Sequence, residues 1–92
     1  MSCLSAIPLQ TTTITPVTIG LTWGVVSGAA NYQVEYRENS PLVVSWSLLP
    51  VQTTTNATIG SLSPITEYLV RVNTICPDST SCYSVTIIAS TL

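Results

Sequence analysis

Apolar and polar residues alternate along most of this chain. Val17, Ile19, Leu21 and Trp23 are apolar, with Thr18, Gly20 and Thr22 between them. Successive side chains of a strand point to opposite faces, so this is the period of a half-buried β-strand. Tyr32, Val34 and Tyr36 alternate with Gln33, Glu35 and Arg37, and Tyr68, Val70 and Val72 alternate with Leu69, Arg71 and Asn73. The run 83–89 is rich in β-branched residues and predicts a last strand. Shorter candidates lie at 9–13, 43–48 and 56–59. No helical period is sustained, and strong helix formers are scarce. Turn residues separate the runs: Gly24 and Gly28, then Asn39 to Pro41, the Thr-rich stretch 50–55, Gly60 with Pro64, and Pro77 with Asp78. Seven such strands in one domain, residues 1–92, predict an all-β antiparallel sandwich.

Composition narrows the chemistry. The only cations are Arg37 and Arg71, against Glu35, Glu38, Glu67 and Asp78, a formal net charge of −2. Two cations cannot neutralise a run of phosphates, which excludes nucleic acid as a partner. The chain has no His and no Lys, so it lacks the commonest general base, the commonest metal ligand and any Schiff-base amine. Glu35 and Glu38 have no cleft to work in, and no catalytic residue, cofactor or metal is expected. The chain is 46% hydrophobic with a mean hydropathy of +0.49, which favours a folded domain over disorder. No run reaches the roughly 18 apolar residues that span a bilayer, so no membrane partner is expected. Residues 1–10 carry no basic segment followed by an apolar run. Two settings fit this opening: a complete short product, or one domain of a longer exported chain.

Four motifs in order carry a family resemblance. Trp23 closes the second strand. Tyr32-Gln33-Val34-Glu35-Tyr36-Arg37 resembles the Y-x-V-x-Y-R third strand of fibronectin type III domains. Trp46 stands where many members carry an aromatic, and Leu62-Ser63-Pro64-Ile65-Thr66-Glu67-Tyr68 resembles their L-x-P-x-T-x-Y passage into the sixth strand. The resemblance covers nearly the whole chain and is to the bacterial or bacteriophage type. It implies a seven-stranded antiparallel immunoglobulin-like (fibronectin type III) β-sandwich. Its core would hold Trp23, Tyr32, Val34, Tyr36, Leu62, Tyr68 and Val70. Tyr68 would be a tyrosine corner, its hydroxyl bonded to backbone just upstream.

Cys3, Cys76 and Cys82 allow at most one bridge within the chain. An opening Cys and another at the end of the sixth strand resemble fibronectin-type modules of secreted bacterial proteins, which favours Cys3–Cys76. Cys76–Cys82, Cys3–Cys82 and a fully reduced state remain open. Three thiols without His or a C-x-x-C pair fall short of zinc spacing. Glu35 and Arg71, outward on neighbouring strands, suit a surface ion pair. Asn56-Ala57-Thr58 fits the glycosylation sequon, which arises often by chance.

Val25, Val26, Val43, Leu48, Leu49 and Leu69 are apolar at positions expected to face solvent or to lie in loops. On a chain of so little charge they suggest a contact surface for other protein chains. The expected function is therefore a non-catalytic structural or adhesive module in a larger assembly. A bacteriophage virion component (decoration, tail or fibre) fits best. The alternative is a binding or spacer module of a secreted bacterial adhesin or glycan-degrading enzyme, at the cell surface or outside it. Loops 24–31, 51–56 and 77–81 would share one pole. They lack an aromatic platform, so carbohydrate as a partner is weakly supported.

Overall fold

A computed structural model describes residues 8–40, 45–77, 81–84 and 86–92. The chain order is β1 (Gln10–Ile14), β2 (Ile19–Thr22), β3 (Asn31–Glu38), β4 (Ser47–Leu48), β5 (Asn56–Ile59), β6 (Glu67–Ile75), β7 (Ser81–Tyr83) and β8 (Ile87–Ser90). The first sheet runs β1-β2-β5. The second runs β4-β3-β6-β7, with β8 also pairing β6, and every pairing is antiparallel. Glu35 pairs with Arg71 and Tyr36 with Val70, in an eight-residue register between β3 and β6.

The inner faces meet in one core. Ile19, Leu21 and Trp23 come from β2 and the residue after it, and Ile59 from β5. They meet Tyr32 and Val34 of β3 and Tyr68, Val70 and Val72 of β6, all buried. Trp23 and Tyr32 pack edge to face, with ring centroids 5.7 Å apart at 64°. Leu62 is buried, and Tyr36 is half-buried against the core. The Tyr68 hydroxyl accepts a hydrogen bond from Ser63 N at 2.9 Å, while Leu62 N donates to Val17 O at 2.9 Å. Together these pin the β5–β6 crossover to both sheets. Tyr68→Phe would leave Ser63 N without its partner and is expected to cost about 1–2 kcal/mol. Urea unfolding checks this, and an unchanged midpoint would contradict the corner's role.

Several element boundaries depart from the alternation pattern. Val17 reads as a strand residue but is 47% exposed. Thr15 Oγ1 accepts from the backbone N of both Val17 and Thr18, and Thr15 N donates to Thr18 O. This side-chain turn holds Pro16 and Val17 outside the strand. The final run is two strands. At the break, Ser84 N donates to Val72 O at 2.8 Å and Ser84 Oγ accepts from Val72 N at 2.9 Å. A hydroxyl thus replaces a backbone carbonyl in the ladder, and the described residues form eight strand segments where seven are expected. The fourth strand is only two residues long, and Val43 lies outside the described residues.

The turn into β6 carries strain. Ile65 has φ of 50° and is 88% exposed. A left-handed conformation costs an ordinary L-residue roughly 1–2 kcal/mol, and more side-chain bulk at Cβ makes it worse. Thr91 holds this turn in place: its Oγ1 accepts from Thr66 N at 3.0 Å and donates to Ser63 O at 2.6 Å, while Thr91 N donates to Thr66 O. Asn tolerates this region, so Ile65→Asn is expected to raise stability by about 1 kcal/mol. A lowered urea midpoint would show that Ile65 makes a compensating contact.

Candidate contact face

Residues directly opposite in antiparallel strands share a face. On the outer side of the second sheet, Leu48 lies opposite Glu35, and Glu35 opposite Arg71. Leu69 lies between Arg37 and Ile88, and Asn73 between Gln33 and Tyr83. The middle of this face is organised around one guanidinium. Arg71 Nη2 lies 2.8 Å from Glu35 Oε1, and Arg71 Nε donates to the same oxygen at 2.9 Å. The Arg71 guanidinium carbon stands 4.0 Å from the ring centre of Trp46 and 4.0 Å from that of Tyr83. Arg37 approaches the Trp46 ring at 5.2 Å.

This layering changes the character of the ion pair. A solvent-exposed pair is expected from the outward positions of Glu35 and Arg71, yet Glu35 is only 5% exposed. Arg71 lies directly on the carboxylate, and Trp46 and Tyr83 stack in turn on the Arg71 guanidinium. The pair therefore sits in a medium of lower dielectric than water, where Coulomb attraction and cation–π stacking are both stronger. Leu48 at 56% exposure and Ile88 at 60% flank this centre, and Leu69 is half-buried between them.

The other candidate contact residues divide. Val26 belongs to the core: it is 7% exposed, and its backbone N donates to the Tyr32 hydroxyl at 2.9 Å, which draws the loop inward. Leu49 packs half-buried against the core, its N bonded to Val34 O. Val25, 82% exposed, stands apart at the pole where Trp23 N meets Thr55 O and Tyr32 pairs with Gln52. Leu48 and Leu69 alone join the outer face. Trp46, Tyr83 and Ile88 complete it. Alternation within single strands does not mark them as contact residues, whereas pairing outward positions across neighbouring strands places Tyr83 and Ile88 on this face.

Cys76 lies half-buried after β6, and Cys82 is a half-buried thiol. Cys3 lies outside the described residues. Among the described residues no group of three or more His, Cys, Asp or Glu could hold a metal ion, and no helix is long and apolar enough to cross a membrane.

Two antiparallel sheets packed around Trp23 and locked by a tyrosine corner define an immunoglobulin-like sandwich. The fibronectin type III domain model matches residues 6–89, and the chain belongs to that family. Solved structures agree in fold. The fn3 domain of the human collagen alpha-1(XX) chain is 23% identical, with a TM-score of 0.83, covering 99% of this chain and 86% of that one. The FN5 domain of Drosophila Lar is 16% identical, with a TM-score of 0.80, covering 98% and 97%. No curated protein sequence matches significantly. Domains of this family are typically non-catalytic modules for protein interaction.

Proposed function

We propose that this chain is a non-catalytic contact module of a larger protein assembly, acting through the outer face of its second sheet. The observation that carries this reading is the Trp46–Arg71–Tyr83 stack flanked by exposed Leu48 and Ile88. Trp, Tyr and Arg are the residues that most often dominate binding energy. Here stacking and an ion pair hold them in place before any partner arrives, which lowers the ordering cost of contact.

A chain of little charge, rich in Thr and Ser, suits a repeated part of a bacteriophage particle, as decoration, tail or fibre. A disulfide at Cys76 would favour the second setting, a module of a secreted bacterial adhesin or glycan-degrading enzyme, since disulfides persist in oxidising compartments. With Cys82 a thiol, Cys3 is the proposed partner of Cys76.

Site-specific photo-crosslinking tests the contact face. A photoreactive residue at Leu48 or Ile88, in cells or particles of the source, is expected to give adducts with protein chains. The same residue at Thr58, on the outer side of the first sheet opposite Gly20, is expected to give none. Adducts from position 58 alone, or from no position, would overturn the reading.

A further inference from the structure

We propose that Asn56 carries an N-linked oligosaccharide, attached on the outer face of the first sheet. The site is separate from the contact face and gives a use to the Asn56-Ala57-Thr58 sequon, which a contact module does not need. Three structural observations add to the motif itself.

The first is presentation. A transferase reads an amide and a hydroxyl two residues apart, so both must be reachable together. Ala57 is half-buried against the core and Ile59 is fully buried, which turns Asn56 and Thr58 outward on one side of β5. Both are exposed. Gln52 Nε2 and Thr54 Oγ1 donate to the Asn56 backbone oxygen. These bonds fix the start of the strand through its main chain while the side-chain amide projects into solvent.

The second is room. Across the ladder Asn56 lies opposite Thr22, and Thr58 opposite Gly20. Gly20 has no side chain, and Thr12 Oγ1 lies 2.5 Å from where its Cβ would stand, so β1 settles low over this position. The outward neighbours of the sequon on β2 are therefore a glycine and a threonine, which leave open space above the amide for a bulky sugar.

The third is an unguarded edge. β1, β2 and β5 contain no charged residue, whereas β3 and β6 carry Glu35, Arg37, Glu38, Glu67 and Arg71. Among the described residues β5 pairs with β2 alone, which leaves its other edge open. Folded proteins blunt such edges with charge, with proline or with a cover. The strand Asn-Ala-Thr-Ile has neither charge nor proline, and a hydrated oligosaccharide on its first residue supplies the cover.

The step is a group transfer. Asn56 Nδ2 attacks the anomeric carbon of an oligosaccharide carried on a lipid pyrophosphate. The C–N bond forms as the anomeric C–O bond breaks, the lipid pyrophosphate leaves with the electron pair, and the amide gives up one proton. No oxidant or reductant takes part. A transferase of the source cell supplies the donor and the catalysis, so the modification belongs to an exported chain.

Peptide mapping by mass spectrometry, on the chain isolated from its source, tests the proposal. The peptide containing Asn56 is expected to carry a saccharide mass on that residue. Produced through a eukaryotic secretory pathway, the wild type and Thr58→Ser are expected to be modified, whereas Asn56→Gln and Thr58→Ala lose the modification. Circular dichroism shows that each variant is folded. A native chain whose Asn56 is bare would overturn the proposal, as would a saccharide that survives Asn56→Gln.

Discussion

Arg71→Ala is expected to destabilise the domain by about 3–5 kcal/mol, because it leaves the Glu35 carboxylate buried without its partner. Glu35 is 5% exposed, and two contacts from Arg71 fall on one of its oxygens. Truncation also removes the guanidinium held between Trp46 and Tyr83, so both rings lose their stacking partner. The wild-type pair is a different matter. Replacing both members with apolar residues of similar volume is often neutral in cost. The double variant Glu35→Leu/Arg71→Met is therefore expected to recover most of the loss. Chemical denaturation of the wild type, both single variants and the double variant completes the cycle. A single-variant loss under about 1 kcal/mol would mean that the pair behaves as an exposed one.

Trp23→Ala is expected to cost about 3–5 kcal/mol, the range for deleting a buried aromatic. Trp23 is 4% exposed and packs against the edge of Tyr32, whose hydroxyl in turn anchors the loop at Val26. Its loss would loosen the core and that loop together. Trp23→Phe should be far milder, near 1 kcal/mol, because the ring is retained. The indole Nε1 is buried without a hydrogen-bond partner, so Phe gives up no bond there. Thermal unfolding of the two variants separates these cases. Equal losses would show that the indole contributes something other than volume.

Much of this architecture is legible in the chain. Alternation in 32–37 and 68–73 assigns inward and outward faces correctly over the long β3–β6 ladder, because both strands are regular and buried on one side. What alternation misses has local causes. Val17 leaves its strand through a hydroxyl-capped turn, and Ser84 interrupts the last strand through its own side chain. Both are specific hydrogen bonds that a hydrophobic pattern does not register. Val26, placed in a loop, is drawn into the core by Tyr32, six residues on. The stacked face is the largest omission. Trp46, Arg71 and Tyr83 come from three separate segments, so their convergence depends on strand order and register. Glu35 faces outward by its position in the strand, yet it is buried, with Arg71 bonded to it.

Hydroxyl-radical footprinting of the chain, free and within the proposed assembly, tests the contact face most directly. Trp46, Leu48, Tyr83 and Ile88 should lose reactivity on assembly, while Val25 and Thr58 should keep theirs. Protection confined to the loop pole or the first sheet, with the four outer-face residues still fully reactive, would contradict it.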